Sequence, residues 1–383
     1  MTKLPACAEV TAGFWGVIEP AVQHHRSRGF AVLQNAPDRP LIHKARRVAP
    51  TGKTGQLTGS GKSAETFFPC GPADLLANTY RAKIMSRPNT PSICFIGFGE
   101  AGQALASGLR QAGVVRLSAW DILFPEPAGE RLRAAADAIG VRRGNSAADA
   151  VAGADVVLAA VTAASSLEAA QIAKPNLKPD QFYLDINSVS PGRKQETAQA
   201  IDGAARYVDV AVMAPVHPAL HKTPMLLAGP HAAALAPVLQ GLDMSATIAG
   251  ERVGAAAAIK MVRSVMIKGL EALTLECFLA ARVAGVEEQI VASLSKSFPG
   301  LDWPQMVEYN LERMANHGTR RAHEMEEVAE TLRELGVAPH MTEGTIKRQY
   351  QMGELGKASP LKEAVPRGRD AMLEAIAHAT FKP

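Results

Sequence analysis

The sequence predicts an α/β fold, a doubly wound sheet, followed by an all-α C-terminal domain. Three observations carry this prediction. Short apolar runs alternate with helical stretches between residues 92 and 212, the pattern of a sheet with crossover helices. A glycine-rich turn follows the first run. After Gly254 the strand-like runs end, and long Ala-, Leu-, Glu- and Met-rich stretches with helical spacing replace them.

The first apolar run, residues 92–96, is typical of a buried parallel strand. A G-x-G-x-x-G motif and a helical stretch follow it directly. In this context the first glycine permits a tight turn, the second lets a pyrophosphate approach the backbone, and the third lets helix and strand pack closely. The helix N-terminus offers N–H groups to the phosphates. The sequence therefore predicts a Rossmann-type dinucleotide site formed by Gly97, Phe98, Gly99, Glu100, Ala101 and Gly102.

The second predicted strand, residues 115–121, ends at Asp121, which lies 19 residues after Gly102. An acidic side chain at this place accepts hydrogen bonds from the ribose hydroxyls and repels a 2′-phosphate. The sequence therefore favours NAD as the cofactor, with NADP as the alternative.

The fourth, fifth and sixth strands are predicted at residues 155–161, 181–187 and 206–212. Two further runs, 224–228 and 245–249, are interpreted as a hairpin-like extension of the sheet. Ligands of such sheets bind at the carboxyl ends of the strands. Four residues at these ends are therefore candidates, two for the cofactor and two for the substrate: Val161 and Thr162, and Asn187 and Ser188.

The C-terminal half has the spacing of long helices at residues 255–284, 287–297, 304–316 and 319–335. Lys260, Arg263 and Ser264 share one face of the first helix, and Lys268 follows one turn later. Cations on an otherwise apolar helix are costly to bury without partners. We interpret this face as an anion-binding and proton-transfer site, with a solvated surface stripe as the alternative.

The charge is unevenly distributed along the 383 residues. The formal net charge is +4, but residues 1–84 hold 11 basic and 5 acidic groups, and the remainder has a net charge of −2. We predict a basic, flexible extension at 1–84, with Met85 as the natural start of translation. A nucleotide-binding domain is predicted at 85–250, a helical substrate and dimerisation domain at 251–345, and a C-terminal tail with a helix at 346–383.

Several classes of function are disfavoured by composition. The acidic body of the chain lacks a compact basic and aromatic module for nucleic acid, and no apolar run has the length of a membrane helix. The four cysteines are scattered and form neither a metal-type pair nor a disulfide framework. We therefore expect a cytoplasmic protein without a metal, a membrane or a nucleic-acid partner.

Three segments occur in a familiar order and spacing: Gly97–Gly102, Asp209–Val212, and the stretch from Gly254 to Val262. Over about residues 91–345 the chain resembles the β-hydroxyacid dehydrogenase superfamily, which includes 6-phosphogluconate and 3-hydroxyisobutyrate dehydrogenases. It is most similar to a phosphogluconate-dehydrogenase-like subfamily with its own C-terminal helical domain. The resemblance implies a homodimer or homotetramer and a catalytic Lys260 that takes the proton of a substrate hydroxyl.

The resemblance also implies the substrate-binding positions. Asn187 and Ser188 match the family's loop after the fifth strand, whereas Met213 and Ala214 stand where the family has Ser-Gly-Gly. Ser264 replaces the family's usual Asn. His323 and Glu324 stand where many members have a Lys-Asp pair that lines the cleft, with a solvated charged helix face as the alternative. These positions, with Arg263 and Lys268, are the candidate contacts of a small anionic substrate.

The function predicted from the sequence is hydride transfer between a nicotinamide cofactor and a small hydroxy acid or sugar acid, phosphorylated or not. An imine-reductase-like enzyme shares the scaffold but usually lacks the lysine found at Lys260. A non-catalytic nucleotide-binding regulator is the second alternative, because the Ser-Gly-Gly loop is replaced.

Overall fold

The computed structural model describes residues 90–381, so the predicted extension at 1–84 and the predicted start at Met85 lie outside the described residues. The described chain begins with an eight-stranded sheet in the order β3-β2-β1-β4-β5-β6-β7-β8. The strands are β1 (Ile93–Ile96), β2 (Leu117–Trp120), β3 (Arg142–Arg143), β4 (Val156–Ala159), β5 (Phe182–Asp185), β6 (Arg206–Val212), β7 (Met225–Ala228) and β8 (Ala246–Gly250).

Helices connect the strands and cover both faces of the sheet, as the doubly wound fold class predicts. One apolar core includes Leu105 and Leu235, and a second, on other helices, includes Val151 and Ile201. The fold class predicted from the sequence is confirmed. The helices of this part are α1 (Glu100–Gln111), α2 (Glu130–Ile139), α3 (Ala147–Val151), α4 (Ser166–Ala173), α5 (Pro191–Ile201) and α6 (Ala232–Gly241).

The end of the sheet differs from the predicted hairpin-like extension. β7 is antiparallel to β6, but β8 is parallel to β7, and α6 forms the crossover between them. Parallel neighbours need such a crossover and cannot be joined by a tight turn. β3 was not located from the sequence, because its two residues are exposed arginines rather than an apolar run.

The helical half follows β8 without further strands among the described residues. None of the helices within 90–381 combines the length and apolar character needed to cross a bilayer. These helices are α7 (Ala255–Ala284), α8 (Glu287–Ser297), α9 (Trp303–Glu334), α10 (His340–Leu355), α11 (Ser359–Ala364) and α12 (Arg369–Thr380).

The helical half packs around one core to which its last helix contributes. Leu373 and Ile376 of α12 pack in the same cluster as Leu275 and Phe278 of α7. α10 continues past residue 345 into the segment 346–383, which the sequence predicts to be a C-terminal tail with a helix. The chain after 345 is therefore an integral part of the helical packing and contains more than one helix.

α9 is continuous across His317 and Gly318, where the sequence analysis placed a break between two helices. Gly318 serves close packing instead. A Cβ atom at Gly318 would collide with the backbone of Gln349 and Gly353 on α10. A glycine inside a helix is thus explained by the approach of a second helix, which no local pattern reveals.

We expect Gly318→Ala to lower the free energy of unfolding by about 1–3 kcal/mol, because the added methyl group has to displace backbone. Gly344→Ala in α10 is the matched control. A Cβ atom there meets nothing within 4 Å, so its better helix propensity should stabilise the protein by about 0.5–1 kcal/mol. Urea denaturation measures both changes. Equal effects of the two substitutions would contradict the close contact of α9 and α10.

Candidate active site

A cavity of about 420 Å³ lies between the carboxyl ends of β4, β5 and β6 and the helices α7 and α9. The loops that follow these strands form one wall, and side chains of the two long helices form the other. This edge of the sheet is where open α/β folds bind ligands. Eleven of the residues predicted from the sequence line the cavity: Glu100, Ala101, Val161, Asn187, Ser188, Met213, Ala214, Lys260, Arg263, Ser264 and Lys268.

The glycine-rich turn has the geometry that a dinucleotide requires. Gly97 has a φ of 88°, and a Cβ atom there would collide with the backbone of Ala160. At Gly102 a Cβ atom would lie 2.8 Å from the Gly97 carbonyl oxygen, whereas at Gly99 it would meet nothing within 4 Å. No side chain caps the N-terminus of α1. The turn therefore presents open space and uncapped backbone N–H groups, which fit a pyrophosphate.

Asp121 is fixed beside this turn by two backbone hydrogen bonds. Its Oδ2 accepts from the N–H of Phe98 at 2.7 Å, and its Oδ1 accepts from the N–H of Leu123 at 2.9 Å. Each carboxylate oxygen has a second lone pair that a ribose hydroxyl can use. The predicted contact with the cofactor ribose is therefore compatible with this geometry, and Asp121 also braces the turn.

Asn187 joins the ends of β4 and β5. Its Oδ1 accepts from the N–H of Val161 at 2.7 Å, and its Nδ2 donates to Asp185 Oδ1 at 2.8 Å. Its Oδ1 and its Nδ2 therefore each bond to residues at the strand ends. Asn187 lines the cavity and also holds the two strand ends that form its wall. Thr162, which also follows β4, lies outside the lining, and its hydroxyl donates to the Ser165 hydroxyl at 3.1 Å.

Ser188 differs from its neighbour. Within residues 90–381 its buried hydroxyl has no hydrogen-bond partner. Because a buried polar group without a partner is unfavourable, the hydroxyl is a candidate contact for a ligand in the cavity it lines.

A buried ion network joins the end of β5 to the middle of β6. The Nζ of Lys194 lies 3.0 Å from Asp185 Oδ1 and 3.7 Å from Asp209 Oδ1, and it donates to the Asp185 carbonyl at 2.6 Å. The Tyr207 hydroxyl donates to Asp185 Oδ2 at 2.8 Å. The three charged side chains are almost completely buried. The carboxylate that anchors Asn187 is thus itself fixed by Lys194.

Asp209 also caps α7. Its Oδ2 accepts from the backbone N–H groups of Gly254, Ala256 and Ala257 at 3.0 to 3.2 Å. The N-cap residue Gly254 has no side chain to do this, so a carboxylate from β6 satisfies the first turn and complements the helix dipole. The start of the helix that bears Lys260 is therefore tied to the sheet.

Lys260 lies one to two turns into α7 and faces the cavity. Burial lowers the pKa of its ammonium group to about 8, with Glu324 opposing the shift and the cations Lys268, Lys194 and Arg320 supporting it. An amine with this pKa exchanges a proton near neutral pH, as an acid–base group must.

Two family models match parts of the chain. Residues 92–189 match the family model described as "NADP oxidoreductase coenzyme F420-dependent", and residues 281–352 match a domain of unknown function, DUF1932. A conserved hypothetical protein from Sinorhizobium meliloti is 39% identical, with a TM-score of 0.64, over 76% of this chain and 97% of its own.

A second solved structure decides the family. It is a conserved protein of unknown function whose structure is described as similar to 3-hydroxyacid dehydrogenases, and it is 30% identical over 70% of this chain and 100% of its own, with a TM-score of 0.57.

The chain belongs to the β-hydroxyacid dehydrogenase superfamily.

The fold of this superfamily extends to more distant members. The 3-hydroxyisobutyrate dehydrogenase of Mycobacterium tuberculosis, solved with L-serine, is 19% identical over 76% of this chain and 99% of its own, with a TM-score of 0.57. At this identity the comparison establishes the common fold. In this chain the helical wall of the cavity contains several ion pairs.

Lys268 was predicted as a substrate contact, but it has protein partners. Its Nζ lies 2.9 Å from Glu324 Oε2 and 3.3 Å from the Ser264 hydroxyl, and its side chain is buried. Burial alone would raise the pKa of Glu324, but Lys268 and Lys260 outweigh it and lower this pKa to about 2. Glu324 is therefore an anion that partly offsets the cations around Lys260.

Of the pair His323 and Glu324, only Glu324 lines the cavity. The His323 side chain is exposed and packs edge-on against the Tyr350 ring at 5.5 Å, outside the cavity lining. Helical spacing contained the signal that distinguishes the two residues. Glu324 lies three residues after the buried Arg321 and four before the buried Val328, which places it at the inner face of α9.

The Lys268–Glu324 pair should set the proton affinity of Lys260. Glu324→Gln removes an anion and should lower the pKa of Lys260 below 8, whereas Lys268→Met removes a cation and should raise it, each by roughly one pH unit. The pH dependence of trinitrophenylation at Lys260, followed by mass spectrometry, measures the pKa of Lys260 in each variant. Glu326→Gln on the outer face of α9 is the control and should leave the midpoint unchanged. Shifts in the same direction would contradict this electrostatic account.

Proposed function

We propose that the protein is an NAD-dependent dehydrogenase that oxidises a small anionic hydroxy acid, with Lys260 as the general base. The observation that carries this proposal is the position of Lys260. It lies in the cavity that the end of the glycine-rich turn also lines, on a wall with further cationic side chains, and burial lowers its pKa to about 8.

A nicotinamide cofactor whose pyrophosphate is held at the glycine-rich turn would supply the hydride acceptor for the carbon that carries the substrate hydroxyl. In its neutral form Lys260 takes the hydroxyl proton, so that the alcohol becomes a carbonyl and the ammonium form of Lys260 holds the proton. In the reverse direction the ammonium form returns the proton to the oxygen. Ser188 lines this cavity, and its buried hydroxyl, which has no partner within residues 90–381, supports a role in binding the substrate.

We expect Lys260→Met to lower kcat/KM by about 100-fold or more, because proton transfer loses its acceptor. A panel of hydroxy acids and sugar acids with NAD identifies the substrate and measures the rates. NADH affinity, measured by fluorescence titration, should change less than about twofold. Lys357→Met, an exposed lysine paired with Glu354, is the matched control. Unchanged turnover in Lys260→Met would remove Lys260 from the mechanism, and absence of turnover with every compound would favour a nucleotide-binding regulator.

We also propose NAD rather than NADP as the preferred cofactor, on the support of Asp121 beside the glycine-rich turn. NADH should bind about tenfold or more tightly than NADPH, because the carboxylate repels a 2′-phosphate. Asp121→Asn should narrow this ratio mainly by strengthening NADPH binding, and its amide oxygen can still accept from the Phe98 N–H. Fluorescence titration with each cofactor measures the ratio. Tighter binding of NADPH to the unmodified protein would overturn this assignment.

A further inference from the structure

The cavity wall contains twice as many cationic as anionic side chains. The three anionic residues are Glu100, Glu271 and Glu324. The six cationic residues are Lys260, Arg263, Lys268, Arg313, Arg320 and Arg321. Because charged groups in a partly enclosed site interact strongly, the pairing of these residues determines which charge is available to a ligand.

Each anion is already paired with a cation. Glu324 accepts from Lys268 at 2.9 Å. Glu271 is buried and paired with Arg321, whose Nε lies 3.0 Å from Glu271 Oε2.

The third pair crosses the cavity. Glu100 at the start of α1 lies 3.5 Å from Arg320 on α9. Arg320 is therefore the cation beside the predicted pyrophosphate site.

Three cationic residues of the cavity lining have no carboxylate partner within residues 90–381. Within residues 90–381, no carboxylate oxygen lies within 4.0 Å of the charged groups of Lys260, Arg263 or Arg313. Lys260 has its role in proton transfer, so two guanidinium groups have no assigned partner. They project from opposite helices, Arg263 from α7 and Arg313 from α9, and both line the same cavity.

Arg313 is supported by an aromatic ring rather than by a carboxylate. Its guanidinium carbon lies 6.0 Å from the centre of the Tyr309 ring, which also lines the cavity. Arg313 is seven residues from Arg320 on α9, which separates them by about 10 Å along the helix axis. Arg313 therefore lies well away from the cation at the predicted pyrophosphate site. This cation–π contact leaves the charge of Arg313 without a carboxylate partner, and the planar guanidinium matches a carboxylate or phosphate in two-point geometry.

We propose that the substrate carries a second anionic group, away from the reacting carbon, that Arg263 and Arg313 bind between α7 and α9. This inference rests on the proposed dehydrogenase function and extends it: the substrate class is a hydroxy acid with a further carboxylate or a phosphate monoester. Lys268, paired with Glu324, is not the group that binds this anion.

Binding of three probes to the protein saturated with NADH tests the inference without requiring turnover. Lactate is a single anion, malate carries a second carboxylate, and 3-phosphoglycerate carries a phosphate. Calorimetry should show that at least one of the two larger anions binds about tenfold or more tightly than lactate. Which of them binds more tightly distinguishes a carboxylate from a phosphate as the second group. Equal affinity for all three probes would overturn the proposal.

Variants assign the preference to the two arginines. Arg313→Met and Arg263→Met should each remove most of the tenfold preference, measured in each variant as the ratio of its affinity for the larger anion to its affinity for lactate. Arg313→Lys keeps the charge but loses the two-point geometry, so an intermediate loss is expected. Arg333→Met, on the same helix but paired with Glu330 and Glu343 outside the cavity, is the matched control. A preference that persists in Arg313→Met and Arg263→Met would overturn the assignment.

The same measurements separate this inference from the proposed function. In Lys260→Met the preference for the second anion should persist, because binding does not require proton transfer. Preferential binding of a dianion without turnover of any hydroxy acid would retain the anion site and reject the dehydrogenase activity. Turnover of hydroxy acids without preferential binding of a dianion would retain the dehydrogenase activity and reject the second anion site.

Discussion

The candidate site depends on one buried ammonium group, that of Lys194, between the carboxylates of two neighbouring strands. Asp185 at the end of β5 anchors the Asn187 side chain, which in turn holds the backbone at Val161 after β4. Asp209 in β6 caps the first turn of α7, the helix that bears Lys260. Without a cation between them, the two carboxylates would repel each other in a place from which water is largely excluded. The positions of the cavity wall and of Lys260, the proposed proton-transfer group, therefore share one electrostatic origin.

Buried ion pairs contribute little net stability, because removing charges from water offsets much of their attraction. Their effect here is geometric. Asp209 accepts hydrogen bonds from three backbone N–H groups at the start of a 30-residue helix, and its other oxygen lies near Lys194. The helix end thus supplies part of the positive potential that this carboxylate requires. A rotation or shift of α7 relative to the sheet would break all three hydrogen bonds at once. These bonds therefore fix the orientation of the helix that bears Lys260.

Local patterns predicted those parts of the structure that local interactions determine. The glycine-rich turn, the apolar strands β1, β4, β5 and β6, and the long helix α7 follow from spacing and turn chemistry. β3 could not be found this way, since two exposed arginines become a strand only by pairing with β2. The same holds for Gly318, which interrupts a helical pattern yet lies within α9 because α10 packs against it. The surroundings of Lys268 and His323 also depend on neighbouring helices. α9 supplies Glu324 to Lys268, and α10 supplies Tyr350 to His323.

The ion pairs on the helical wall connect proton transfer to ligand charge. Lys268 lowers the pKa of Lys260. Without its partner Glu324, Lys268 would also attract the anionic ligand away from Arg263, which lies five residues earlier on α7. Pairing with Glu324 removes that competition, while the opposing effect of Glu324 on Lys260 keeps the pKa of Lys260 near 8 instead of lower. The paired charges therefore tune the base, and the charges left unpaired, Arg263 and Arg313, are free to orient the ligand. A single substitution at Glu324 would disturb both functions, because it would release Lys268 as an additional cation and at the same time weaken the proton affinity of Lys260.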